Sequence, residues 1–192
     1  MWRKPSEVSK AELGGKGDYH NQVPLNKAVL LWGGCSQKGF AVVAFHKRKK
    51  LKVEGWTKAV AGGKLVAAIK ALKPDRKTGP WDVLCDNEGF MKAKASTQAC
   101  KAAKVKLWHV PPRSPDLNPV EGFWGWLKRK LRKMDMDDAL KRRPALGKMT
   151  YTARVRKVVK SKKAQTVAAN FAKRLRKVCR AVVQQKGAAT GY

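Results

Sequence analysis

Two carboxylates, Asp86 and Glu121, stand at the kind of junction where an α/β sheet gathers its chemistry. Asp86 closes the apolar run "WDVLC". Glu121 ends "VPPRSPDLNPVE", where a proline-rich loop turns into an aromatic and basic segment. Positions 87 to 120, 34 residues, lie between them. In open α/β sheets ligands and catalytic groups collect beyond the carboxyl ends of strands. An acid ending one strand and an acid following the next can therefore meet at one edge. Each also has a plainer reading. Glu121 falls in a first helical turn, where the macrodipole favours a carboxylate, behind Asn118 as N-cap and Pro119 at the first helical position. Asp86 is an ordinary turn former.

The second chemistry is cationic. The chain of 192 residues carries 44 Lys and Arg against 13 acids, a net of +31. Self-repulsion of that size adds nothing to fold stability, so a polyanionic partner is implied. Nucleic acid leads, because each phosphate contact releases condensed counterions. From Gly122 to Tyr192 there are 21 Lys and Arg against three acids. A merely solvated face usually mixes both signs, so this segment is read as the phosphate-contacting pole. Its candidates are Lys128, Arg129, Lys130, Arg132, Lys133, Arg142, Arg143, Arg154, Arg156, Lys157, Lys173, Arg174, Arg176 and Lys177. Trp108, Trp124 and Trp126 are candidates for stacking on bases. Of these, Trp124 lies on an apolar helix face and Trp126 lies off it, which makes Trp126 the better candidate. No run of eighteen apolar residues exists, so a membrane partner is not expected.

Cys35, Cys85, Cys100 and Cys179 form no CxxC pair and the three histidines are scattered, so no zinc site is expected. Reduced thiols in an intracellular protein fit better. The N-terminus "MWRKPSEVSK" has no apolar signal core. The expected location is the nucleus or another intracellular compartment that contains nucleic acid, not secretion.

These groups need elements to hold them. "KAVLLWGGCSQKGFAVVAFHK" reads as two antiparallel strands around a glycine-rich turn, with a short third strand at Leu51 to Glu54. Helical spacing runs from Trp56 to Leu72, weakened by Gly62-Gly63. "WDVLCDNEG" reads as a strand, "FMKAKASTQACKAAK" as a helix and "VKLWHV" as a strand, a parallel pair with a crossover. Val120, Phe123, Trp124, Leu127 and Leu131 then share one helix face, and Val167, Phe171, Leu175, Val178 and Val182 share another.

"DVLCDNEGF" followed by "LWHVPPRSPDLNPVEGFWGWLKRKLRK" resembles the catalytic core of the mariner-like and related insertion-sequence transposases. Their RNase H-like domain carries an Asp, Asp, Glu triad, and the 34-residue spacing is typical of them. "WRKPSE" and "KAVLLWGGCSQKGFAVVAF" resemble the family's segments between the first and second acids, so the likeness runs from about Trp2 to Lys133. The resemblance implies that Asp86 and Glu121 are the second and third metal-binding acids. It also implies a magnesium pair that activates the nucleophile and stabilises the leaving oxygen. Asp116 is then a turn or capping residue.

The resemblance has gaps. The family's first Asp lies on a strand before the segment resembling "WRKPSE", and Met1 stands at that point here. Asp18, in a glycine-rich loop, is a poor replacement. Without that strand two interior sheet edges are left open, to be filled by residues Met1 to Leu25, a protein partner or upstream sequence. Met91 replaces a His that many members place after the Asp-Asn pair. The family's end-reading helix-turn-helix lies N-terminal to this core, and none is expected within these 192 residues.

The expected fold class is α/β, a truncated RNase H-like (DDE transposase/integrase) core with a basic helical C-terminal extension. Its expected divisions are an irregular lead-in 1–26, a core 27–133 and the extension 134–192. The expected function is a transposase-derived, strongly basic nucleic-acid-binding protein that is inactive as this chain. It would serve as a structural component of a ribonucleoprotein, such as the ribosome, or of a DNA complex. The alternative is a functional magnesium-dependent DDE transposase domain once upstream sequence supplies the first acid.

Overall fold

The computed structural model describes residues 29–46, 52–112 and 114–187. The expected lead-in 1–26, with Asp18, lies outside them. Strand β1 (Leu30–Ser36) and strand β2 (Gly39–His46) form an antiparallel hairpin, in register from Leu30↔His46 to Ser36↔Gly39 with a bulge at Trp32/Gly33. Helix α1 (Val53–Ala61) follows, then α2 (Lys64–Ala71). Strand β3 (Trp81–Cys85), the short helices α3 (Gly89–Lys92) and α4 (Lys94–Ala102), and strand β4 (Val105–His109) make the expected parallel unit. Its register runs from Trp81↔Val105 to Cys85↔His109. A 3-10 turn (Pro115–Leu117) then leads into three long helices. These are α5 (Pro119–Leu140), α6 (Lys148–Lys160) and α7 (Lys162–Gln184).

Three local expectations need correction. The third strand at Leu51 to Glu54 is not formed by its described residues: Val53 and Glu54 open α1, where Glu54 gains the helix dipole. The Lys52 carbonyl already accepts the Trp56 N–H at 3.0 Å. The single helix from Trp56 to Leu72 is two helices, because Gly63 takes φ +71°, a left-handed conformation that breaks the ladder. The helix in "FMKAKASTQACKAAK" is likewise split at Ala93, whose ψ of 146° is extended. The fully buried Ser96 bridges that break, its hydroxyl donating to the Phe90 carbonyl at 2.6 Å.

The hairpin lies between two cores. On one side Phe40 joins Phe123, Leu127 and Leu131 of α5, Val155, Val158 and Val159 of α6, and Ala164 and Ala168 of α7. Leu31, Val42 and Phe45 pack onto the same cluster. On the other side Trp32 and Val43 pack onto Trp56, Val60, Leu65, Trp81, Cys85, Met91, Cys100 and Val105. Met91 therefore belongs to an apolar core, not to a polar site. Gln165 of α7 clamps the arrangement. Its side-chain carbonyl accepts the Phe40 N–H at 2.9 Å, and its amide donates to the Val159 carbonyl at 2.8 Å. The division expected after residue 133 falls inside α5, and the helices beyond it share a core with the hairpin.

Among the described residues β1 pairs only with β2, and β3 only with β4. No described helix is long and apolar enough to cross a membrane.

Candidate acidic and nucleic-acid site

Asp86 follows β3 and Glu121 opens α5, and Asn118 ties the two together. The Asn118 side chain is nearly fully buried. Its Oδ1 caps α5 by accepting the Val120 N–H at 3.3 Å, and its Nδ2 donates to Asp86 Oδ1. The Asn118 carbonyl accepts the Glu121 N–H at 3.0 Å. One amide thus satisfies an orphan donor of the helix and fixes a strand-end carboxylate. The sequence reading finds Asn118 as the cap and misses its hold on Asp86. That second contact joins side chains 32 positions apart, and the expected parallel β3–β4 pair does not by itself say which side chains meet at its edge.

His109 is a second residue the sequence reading misses. Through the Cys85↔His109 register its Nδ1 lies 3.0 Å from the Asp86 carbonyl and 3.4 Å from Cys85 Sγ. The Val110 N–H donates to the Cys85 carbonyl at 2.9 Å and carries the ladder to the edge. Backbone and side chain of Asp86 are therefore both held. Both acids are exposed.

The donors suit magnesium in kind, being hard carboxylate oxygens. They do not make a cage by themselves. Among the described residues no group of three His, Cys, Asp or Glu could hold a metal ion.

Behind Glu121, α7 fixes the first turn of α5. A Cβ at Gly122 would collide with the Phe171 ring, so glycine is what lets α7 lie this close to the acid. A cavity of about 230 Å³ opens beside it, between Pro115, Asp116, Asn118 and Pro119 on one side and Phe171, Arg174 and Val178 of α7 on the other.

The cations divide by what they touch. Lys128, Arg129, Lys130, Arg132 and Lys133 of α5 are exposed, as are Lys173, Arg174, Arg176 and Lys177 of α7. Arg142 and Arg143, past the end of α5, and Arg156 and Lys157 of α6 are exposed as well. The Arg156 guanidinium lies over the Phe45 ring at 4.5 Å, and Arg143 pairs with Asp138 at 3.1 Å. Arg154 differs. Its side chain is only 14% exposed, with Nη1 on Asp135 at 2.7 Å and Nη2 on Asp138. The hydrogen bond from Arg154 holds the Asp138 carboxyl below its ordinary value, and the same bond raises the Arg154 pKa. Arg154 therefore fastens α6 to α5. The acids of the basic segment are spent largely on this clasp, which leaves its outer faces nearly all positive.

The tryptophans also sort differently from the sequence reading. Trp126 packs against the first core with its ring 5.6 Å from Phe123, and Trp124 meets the Phe40 ring edge-on at 5.4 Å. Trp108 is the exposed one, at 50%.

The four thiols are free. Burial pushes Cys35 and Cys85 up to about 11, and the charge of Asp86 adds to the rise at Cys85.

Residues 34–141 match the family described as DDE superfamily endonuclease. Among solved structures, the Mos1 transposase catalytic domain with raltegravir and manganese aligns over 90% of this chain and 89% of its own, at 14% identity and a TM-score of 0.55. The same domain with raltegravir and magnesium aligns over 90% of both chains, also at 14% identity and a TM-score of 0.55. The catalytic domain of Mos1 mariner transposase gives 14% identity and a TM-score of 0.54 over 90% of this chain and 88% of that one. At that identity the likeness is one of fold, an α/β, RNase H-like catalytic domain ending in helices. No curated protein matches the chain.

Proposed function

The chain belongs to the DDE superfamily endonucleases, and from that premise we propose that it binds nucleic acid through the basic outer faces of α5 and α7. The observation that carries this reading is the grouping of exposed cations on two helices that meet beside Asp86 and Glu121, with the nearby acids Asp135 and Asp138 already engaged by Arg154. Contacts of this kind go to the phosphate backbone and position the chain without reading sequence. DNA is the favoured polyanion, in keeping with the family. A structural place in a ribonucleoprotein, such as the ribosome, is the RNA form of the same chemistry. Either role belongs to a nucleic-acid-containing compartment such as the nucleus.

The described residues contribute two carboxylates of a three-carboxylate unit, and such units lose most of their rate when one member is missing. We therefore assign them binding without strand transfer. A specific observation favours a second reading, a magnesium-dependent transposase domain. Asn118 still holds Asp86 against the helix turn that bears Glu121. On that reading a strand bearing the first acid comes from outside the described residues, or from a partner, and completes the sheet.

A salt titration tests the first reading. The affinity for duplex DNA is expected to fall steeply as salt rises, on a log–log plot with a slope of about −0.9 per phosphate neutralised. A slope near zero would remove the phosphate claim. Incubation with magnesium or manganese and pre-cut DNA ends is expected to give no joined product. Product that disappears in Asp86→Ala or Glu121→Ala would establish the enzyme instead.

A further inference from the structure

Among the described residues, the β3–β4 pair has one covered face and one open face. Trp81, Cys85 and Val105 are buried in the second core, and Val83 and Leu107 pack against it. The alternate residues point the other way: Asp82 and Lys106 are exposed, Leu84 is 40% exposed and Trp108 50%. Leu84 and Trp108 are register partners, as are Asp82 and Lys106, so the four form one compact patch. Trp108 is held in it from two sides. Its indole N–H donates to Asp82 Oδ1 at 2.8 Å, and the Lys106 ammonium lies over the ring, 4.0 Å from its centroid.

The frame around this ring suits a small, flat, anionic partner. Asp82 spends its carboxylate on the edge of the indole, which fixes the ring plane without covering it. Lys106 is exposed and its ammonium is a weakly held occupant of the ring face. The apolar part is two side chains, Leu84 and Trp108, on neighbouring strands, and a charged residue of the Asp82–Lys106 pair borders each. Leu84 and Trp108 lie one residue short of the Cys85↔His109 pair that ends the ladder, about 3.3 Å along each strand. Asp86 follows directly.

We propose that Trp108 is a stacking platform for an unpaired nucleobase of a nucleic-acid strand that reaches the Asp86 edge. Lys106 swings from the ring face to that nucleotide's phosphate as the base lands. The platform rests on the nucleic-acid-binding reading above and adds a preference for unpaired over duplex substrate at this position.

The test uses the full chain, a single-stranded oligonucleotide with one 2-aminopurine, and a blunt duplex of the same sequence. Stacking on an aromatic ring contributes on the order of five- to 150-fold in affinity per base. Trp108→Ala is expected to weaken single-strand binding by roughly that factor, to abolish quenching of the 2-aminopurine, and to leave duplex affinity unchanged. Trp108→Phe is expected to restore most of both. Lys106→Ala is expected to keep the quenching and to lower the single-strand salt slope by about one contact. Unchanged affinity and quenching in Trp108→Ala would overturn the platform while the salt dependence of the wild type still stood. Wild-type chain that binds neither substrate would overturn the parent reading. Equal loss on both substrates together with a lowered melting temperature, or a dimer that Trp108→Ala turns into monomer, would make the ring structural and also end the proposal.

Discussion

At the scale of the residue, Asn118 carries more than its sequence position suggests. Asn118→Ala removes the α5 cap and the donor to Asp86 together, and we expect a loss of about 1–3 kcal/mol in urea unfolding. Asn118→Asp keeps a capping oxygen but sets a carboxylate against Asp86, so it is expected to recover little of that loss. Thiol chemistry gives a second check. Cys179 is exposed, whereas Cys85 and Cys100 are buried and Cys35 is partly covered. Titration of the native chain near pH 8 is expected to label one thiol quickly and the other three only on unfolding. The acids were legible in the sequence because a long motif fixes their spacing, and Asn118 was legible as a cap because capping is local. Trp126 and Arg154 were not. Helical periodicity sets a residue's face on its own helix, but not whether neighbours on two sides leave any face open. A cation's partner was equally hidden, since Asp135 and Asp138 lie 19 and 16 positions before Arg154.

Between elements, the junctions of α5 decide the fold of the basic segment. Phe123 is fully buried and stacks on Phe40 with ring centroids 4.2 Å apart. Phe123→Ala is expected to cost about 3–5 kcal/mol, read by thermal or urea unfolding. Gly122→Ala pushes a methyl into Phe171 and is expected to cost about 1–3 kcal/mol while moving α7 away from the acidic turn. The clasp of Asp135 and Asp138 with Arg154 is pH-dependent in a defined sense. The Asp138 carboxyl is held below its ordinary value of 3.8, so its contribution is present above about pH 4 and lost as pH falls through the lowered value. Asp138→Asn is expected to lower the melting temperature at pH 6 and to narrow the difference between pH 6 and pH 3. An unchanged difference would assign the acid sensitivity to other carboxylates. Strand and helix types were largely legible here, because apolar periods of two and 3.6 are local. The breaks at Gly63 and Ala93 were less so: a single φ or ψ outside the helical basin ends a helix whose apolar pattern runs straight through.

For the whole molecule, charge and family were written plainly in the sequence, while the path of the last helices was not. The amphipathic stripe of α7 shows that it needs an apolar neighbour, but the hairpin that receives it lies more than a hundred residues earlier. The Phe40 N–H and the Gln165 side chain meet across 125 positions. That distance has a consequence for how the protein is made. The hairpin leaves the ribosome first and presents Leu31, Phe40, Val42 and Phe45 to water until α7 emerges to join the cover over them. Synthesis at about 5–20 residues per second makes that wait several seconds long. A nascent chain stalled after Ser161 is expected to aggregate or to bind chaperones, and release of the remaining residues is expected to end that exposure. This protein can finish its first core only after α7 has been translated.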